Sequence, residues 1–203
     1  MNSTRMQTFL VIMVSLLTSG CTAPSQTTDA YEQDNEDNLP ERLNLIASTP
    51  GRDYDRQQVF DILENADGEN TLILWVSTGC PGCHDWTEMI SDSMRSGNLS
   101  NDTRIISVHR FPAFESPERV IEVYASENST TNSLWPVLMP IDEQPAIDIN
   151  AGSLTEEVYW DAFGKPSTPS FTILDGEGYT IWRNKNYWAN QSVLDTALEI
   201  LNS

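Results

Sequence analysis

Thr71-Leu72-Ile73-Leu74-Trp75-Val76-Ser77-Thr78-Gly79-Cys80-Pro81-Gly82-Cys83 is the stretch on which the reading of this chain turns. Residues 72–76 are apolar without a break and are followed by turn formers, the pattern of a strand buried on both faces. Beyond the second cysteine, Trp86, Met89, Ile90 and Met94 recur at helical spacing. The two cysteines therefore stand where a strand gives way to an amphipathic helix. Pro81 fits the first helical turn, where a missing N–H costs nothing. At such a place unpaired backbone N–H groups and the helix dipole favour thiolate over thiol. A second sulfur one turn away can then reach whatever the first one captures.

The chain holds three cysteines, and Cys21 stands apart, directly after the leader. That leaves Cys80 and Cys83. A structural disulfide framework uses several spaced cysteines, and a bridge across so short a loop removes little chain entropy. The pair is explained by chemistry rather than by stapling.

Residues 1–20 read as a signal peptide: a polar start with Arg5, an apolar stretch from Phe9 to Leu17, and small residues at Ser19-Gly20. The apolar part is short of the ~20 residues that a membrane-spanning helix needs. Leu17-Thr18-Ser19-Gly20-Cys21 resembles the lipobox of prokaryotic lipoproteins, in which the cysteine becomes the lipidated first residue of the mature chain. Thr18 stands where that motif usually has leucine, and a plain secretory signal cut near Ala23 is the alternative. Residues 21–38 then form a lipidated cysteine and a flexible acidic linker, too poor in large apolar groups to fold. A domain follows over 39–203. Either signal places it outside the cytoplasm.

Thirty acidic residues against eleven basic ones give a net charge of −19. Such a surface repels nucleic acid and anionic lipid, so charged partners are expected to be basic.

Along the domain, Asp55 is expected to cap a helix carrying Val59, Phe60, Ile62 and Leu63. The strand 71–76 and a helix to about Ser96 come next, then a strand over 104–109 and a helix opened by Ser116-Pro117-Glu118. Residues 129–152 read as loop, with a short edge strand at Trp135-Pro136-Val137-Leu138. A helix is expected over Leu154 to Phe163. The strand 170–174 and the strand 179–183 form a hairpin through Asp175-Gly176-Glu177-Gly178, and a terminal helix carries Val193, Leu194, Ala197, Leu198 and Leu201. This order implies an α/β fold, a central mixed sheet with helices on both faces.

With these features together the chain resembles the thioredoxin superfamily, and within it the membrane-tethered, extracytoplasmic members of the cytochrome-maturation type. Three things carry the likeness over residues 55–203: C-x-x-C between a buried strand and a helix, Thr168-Pro169 just before the strand 170–174 at the family's cis-proline position, and the closing hairpin and helix. Trp135-Pro136-Val137 and its loop resemble the insertion that the tethered branch carries before the cis-proline strand. The resemblance implies a redox-active disulfide between Cys80, the exposed attacking sulfur, and Cys83, the partly buried resolving one. Pro81, Gly82, Thr168 and Pro169 would then bind the substrate chain as an added strand. Protein thiols or disulfides of exported proteins are the implied substrates, cytochrome c apoproteins among them. A membrane thiol carrier would serve as electron donor or acceptor. The resemblance implies a monomer, held to the membrane through lipid on Cys21, with no metal or organic cofactor.

The chain departs from the family at its proton relay. Leu74 stands where many members bury an acid, and Trp86 where some tethered members place an alternative one, which leaves water, Glu88 or His84. The uncharged Pro-Gly between the cysteines implies a potential toward the reducing end. Other readings of the same residues stay open. Cys80-Pro81-Gly82-Cys83-His84 matches the c-type haem attachment motif, with Met89, Met94 or Met139 as second axial ligand. A zinc site from Cys80, Cys83 and His109, with or without His84, is a third reading, and a non-catalytic thioredoxin-like binding module a fourth. His84 is expected to face solvent and His109 to be hydrogen-bonded. The tryptophans are expected by default to pack in the core, with Trp75 and Trp86, which flank the motif, as candidate groove walls in the alternative. Asp85 and Glu88 read as a solvated helix face.

Overall fold

The computed structural model describes residues 39–53, 55 and 58–203. The expected signal peptide, Cys21 and the acidic linker lie outside the described residues. Among these, the elements in chain order are β1 (Leu43–Asn44), β2 (Ile46–Ser48), β3 (Val59–Asp61), α1 (Ile62–Ala66), β4 (Thr71–Val76), α2 (Pro81–Arg95), β5 (Ile105–His109), α3 (Pro117–Tyr124), β6 (Val137–Leu138), β7 (Pro145–Asp148), β8 (Ser153–Val158), α4 (Tyr159–Ala162), β9 (Ser170–Leu174), β10 (Thr180–Asn184) and α5 (Gln191–Leu201).

Five strands build the central sheet in the order β10-β9-β4-β5-β6. β4, β5 and β6 run parallel, and β9 and β10 run antiparallel, so the sheet is mixed as expected. β4 lies in the middle, and all six of its residues are buried. Its alternation divides them between two cores. Leu72, Leu74 and Val76 face α2, α3 and α5, packing with Trp86, Ile90, Val120 and Leu194. Ile73 and Trp75 face the other layer, with Leu45, Ile62, Tyr159 and Phe163. Removing each such side chain from water is worth about 1.5–3 kcal/mol, and this explains why the strand reads as an unbroken apolar run. β6 is the expected edge strand.

Pro145–Asp148, inside the expected loop 129–152, is a strand, and the two expected helices around Asp55–Leu63 and Leu154–Phe163 also differ. Val59–Asp61 pairs antiparallel with Ile46–Ser48 instead of opening a helix, and the helix begins only at Ile62. Its cap is Asp61, whose carboxylate accepts Glu64 N–H at 3.0 Å. Asp55 is buried and ion-paired with Arg52 at 2.7 Å. In place of the second expected helix, Leu154–Val158 is a strand paired with β7 in a small sheet of order β1-β7-β8. Only Tyr159–Ala162 of the expected helix forms. Residues 137–162 thus form an insertion of β6, β7, β8 and α4 ahead of β9.

Candidate active site

β4 ends at Val76, and Ser77-Thr78-Gly79 carries the chain from the strand's carboxyl end to Cys80. Cys80 is the cap of α2: its backbone is extended (φ −101°, ψ 103°), and its Sγ accepts the Cys83 N–H at 3.1 Å. Pro81 occupies the first helical turn, and Cys80 O accepts His84 N–H at 3.1 Å. Cys80 and Cys83 are disulfide-bonded, with Cα atoms 5.2 Å apart. Cys80 is 6% exposed and Cys83 fully buried, a narrower opening than an exposed attacking sulfur suggests but in the expected order. Cys83 Sγ lies 4.0 Å from Trp75 O.

The β4–β9 register sets Trp75 opposite Ser170 and brings the segment before β9 alongside Ser77. The Thr168-Pro169 peptide bond there is cis, and the Thr168 hydroxyl lies 3.5 Å from that of Ser77. Thr168 is half-buried and Pro169 buried. The fold thus brings the two cysteines and the Thr168-Pro169 turn to one end of the sheet. Pro81 is exposed, while Gly82 is buried beneath Tyr187.

Of the two readings of the tryptophans beside the motif, core packing holds. Trp75 and Trp86 are fully buried and form no groove wall. Trp75 stacks on Tyr159 (6.2 Å between centroids) and donates to Thr172 Oγ1 at 3.0 Å, while Trp86 meets the Phe171 ring edge-on at 4.7 Å. The exposed aromatics beside the motif are Tyr187 and Trp188, packed edge to face at 4.9 Å, and Phe114, 86% exposed in the turn before α3. Asp85 is half-buried and accepts Ala189 N–H at 2.8 Å, so it ties that segment to α2 instead of facing only water.

Both histidines are engaged. His84 is half-buried rather than solvent-facing and donates from Nε2 to Thr78 O at 3.0 Å. His109 Nε2 lies 2.7 Å from Glu115 Oε2. Burial lowers the His109 pKa by more than its bond to Glu115 and that carboxylate's charge raise it. Burial alone would raise the Glu115 carboxyl, but bonds from Thr78 and His109, with the attraction of His109, leave it below the ordinary carboxylate range. The zinc reading needed His109 to turn toward the sulfurs, and it is bonded elsewhere. The haem reading needs His84 and a methionine free to ligate. His84 is held by Thr78, Met94 and Met139 are buried in the core and Met89 packs against it, and the motif follows a central strand rather than lying in a small helical domain. Leu74 and Trp86 are fully buried and leave no acid at either place where the resemblance would put one.

Sequence reasoning missed Glu115. Its carboxylate accepts Thr78 N–H at 2.8 Å and Gly79 N–H at 3.3 Å, the two amides just before Cys80. Within Phe114-Glu115-Ser116-Pro117 it reads as an ordinary residue ahead of a helix cap, and no local signal aims it at a loop 36 residues away.

No family model and no curated protein sequence matches the chain. Solved structures do. The thioredoxin domain of a thiol-disulfide oxidoreductase from Bacteroides vulgatus is similar at a TM-score of 0.51 and 11% identity, over 80% of this chain and 97% of that one. A hypothetical protein from Sinorhizobium meliloti reaches 0.52 and 16%, over 80% and 83%. A thiol:disulfide interchange protein from Bacteroides sp. reaches 0.51 and 12%, over 81% and 90%. At such identities the likeness is one of fold: this chain has the thioredoxin-like fold, with a bonded cysteine pair at the start of the helix that follows its central strand.

Proposed function

We propose that this protein is a thiol–disulfide oxidoreductase that exchanges disulfides with exported proteins. The observation that carries the reading is Cys80 as the cap of α2, bonded to Cys83, at the end of a loop whose Ser77 hydroxyl lies 3.5 Å from Thr168 of the cis Thr168-Pro169 turn. A cap position gives the sulfur the N-terminal amides and dipole that favour a thiolate. In the reducing direction the Cys80 thiolate attacks a substrate disulfide and forms a mixed disulfide. The displaced substrate sulfur leaves and takes up a proton. Cys83 then loses its proton and attacks Cys80 Sγ, and the second substrate sulfur leaves. Two electrons pass to the substrate, and the Cys80–Cys83 disulfide remains, to be reduced by a donor dithiol. The same steps reversed oxidise a substrate dithiol.

Thr168 and Pro169, with the exposed Pro81, are the residues we assign to holding the substrate chain, while Gly82, covered by Tyr187, lets that segment pack close behind the motif. The leader pattern of residues 1–20 and the lipobox-like Leu17-Thr18-Ser19-Gly20-Cys21 support an extracytoplasmic site of action, with attachment to the membrane through lipid on Cys21. Among the described residues, no helix is long and apolar enough to cross a membrane.

The test is dithiol-dependent reduction of insulin by the protein and by its Cys80→Ser variant. Activity in the first and background rate in the second is expected, with Cys83→Ser accumulating the mixed disulfide. Equal rates in the protein and the Cys80→Ser variant would overturn the reading.

A further inference from the structure

The loop Ser77-Thr78-Gly79 is gripped by side chains from two helices, the segment before β9 and a turn. Tyr124 of α3 donates its hydroxyl to Ser77 O at 2.7 Å, and His84 of α2 holds Thr78 O at 3.0 Å. Thr168, from the segment before β9, meets the Ser77 hydroxyl. Glu115, from the turn after β5, takes the Thr78 and Gly79 amides at 2.8 and 3.3 Å. That turn is fixed by Glu115 N–H to Phe111 O at 3.0 Å and by Arg110 N–H to Val76 O at 3.0 Å, which continues the β4–β5 pairing toward the loop.

Glu115 is itself oriented. His109 Nε2 meets its Oε2 at 2.7 Å, and the His109 side chain is 2% exposed. His109 is held from behind by Tyr159 of α4, whose hydroxyl donates to His109 O at 2.6 Å. The groups facing this carboxylate are therefore His109 from β5, Tyr124 from α3 and the two loop amides, with His84 on the far side of the Thr78 peptide. Burial, and secondarily the Glu115 charge, raise the Tyr124 phenol well above its ordinary range, so it stays a hydroxyl donor. With the imidazole neutral and the carboxyl ionised, the pair carries one negative charge directly behind the two peptide units that lead into Cys80.

We infer that Glu115, oriented by His109, is a positioning residue for the dithiol: it fixes the Thr78 and Gly79 amides that present Cys80, and its charge opposes the α2 dipole, keeping the Cys80 thiol less acidic and the pair more reducing than the helix alone would make it. The inference rests on Cys80 being the attacking sulfur. Like charges disfavour one another's formation, so a carboxylate beside the loop raises the cost of a thiolate at its end. It also gives the site an acid although Leu74 and Trp86 fill the places where the resemblance would put one. The acid comes from another element and acts through the loop.

The experiment is alkylation of the reduced full chain across a pH series, with the rate at Cys80 read by peptide mass spectrometry. Glu115→Gln keeps an acceptor for Thr78 N–H but removes the charge. It is expected to lower the midpoint of Cys80 reactivity by about one pH unit. Glu115→Asp keeps the charge and is expected to return the midpoint toward the wild-type value, which a merely structural role would not do. Equal midpoints in the wild type and Glu115→Gln would overturn the proposal. If the Gln variant does not fold, carbon-13 NMR of the wild type decides: the Glu115 carboxyl resonance should inflect at the Cys80 midpoint, and a flat trace there overturns the proposal. Loss of the shift with insulin reduction intact rejects the role of Glu115 alone. Absent exchange activity rejects the reading of the site, while the titration still reports on Glu115.

Discussion

A Cβ added at Gly82 would lie 2.3 Å from Tyr187 O and 3.0 Å from two carbons of the Tyr187 ring. The backbone above it has little room to yield. Trp86 Nε1 holds Asn186 O at 2.9 Å on one side, and Asp85 holds Ala189 N–H at 2.8 Å on the other. Space, not an unusual backbone angle, therefore demands glycine between the cysteines. Gly82→Ala is expected to cost about 1–3 kcal/mol by overpacking, read as a lower denaturant midpoint of the oxidised protein. An unchanged midpoint would mean that the 186–189 segment moves aside freely. Nothing in the local sequence marks Tyr187 as the neighbour of Gly82.

At the scale of elements, one buried ion pair fixes the run that leads into β6. Asp55, whose side chain is fully buried, pairs with Arg52 and accepts Val137 N–H at 3.1 Å. The Arg52 guanidinium also donates to Ser133 O at 2.9 Å and Trp135 O at 3.0 Å. These carbonyls lie in the run that leads into β6, so the pair fixes where the edge strand joins β5. Asp55→Ala would leave a largely buried guanidinium facing carbonyls without its counter-charge. The expected loss is about 3–5 kcal/mol, measured by equilibrium unfolding. A loss under about 1 kcal/mol, the worth of a surface pair, would show that the knot is not structural. β8 shows the opposite limit. Leu154 and Val158 lie four apart among glutamates, a helical spacing in a helix-favouring composition. Pairing with β7 overrides it, and the Thr155 hydroxyl bonded to Ala146 N–H at 3.0 Å helps to hold the strand.

For the whole molecule, His109 and Glu115 give stability the same dependence on pH. In the unfolded chain His109 takes a proton near pH 6.5. In the folded protein burial delays this to lower pH. The unfolded state thus binds more protons in that window, and stability is full above pH 6.5 and falls as pH drops through the folded value. Glu115, held below its ordinary 4.5, adds a second loss of the same sign at lower pH. Titration of the many surface acids is superimposed, so the measurement is a difference. His109→Gln is expected to show a smaller drop in denaturant midpoint between neutral and mildly acidic buffer than the wild type. An identical drop would assign the pH dependence to other groups.

Local patterns were sufficient where burial and period agree. The apolar run of β4, the helical stripe of α2 and the capped start of α3 are dictated by their own residues, because each element must bury one face or both. With the cysteine pair between the first two, they fixed the fold class and the residues on which the proposed chemistry rests. Where an element is short or lies at an edge, local propensity is weak and a partner decides. Val59–Asp61 became a strand because Ile46–Ser48 lies beside it, and Leu154–Val158 because β7 does. Only the tertiary structure could seat Glu115 on the Thr78 and Gly79 amides and Tyr187 over Gly82. Contacts between residues so distant in sequence arise when separate layers pack, and no spacing along the chain records them.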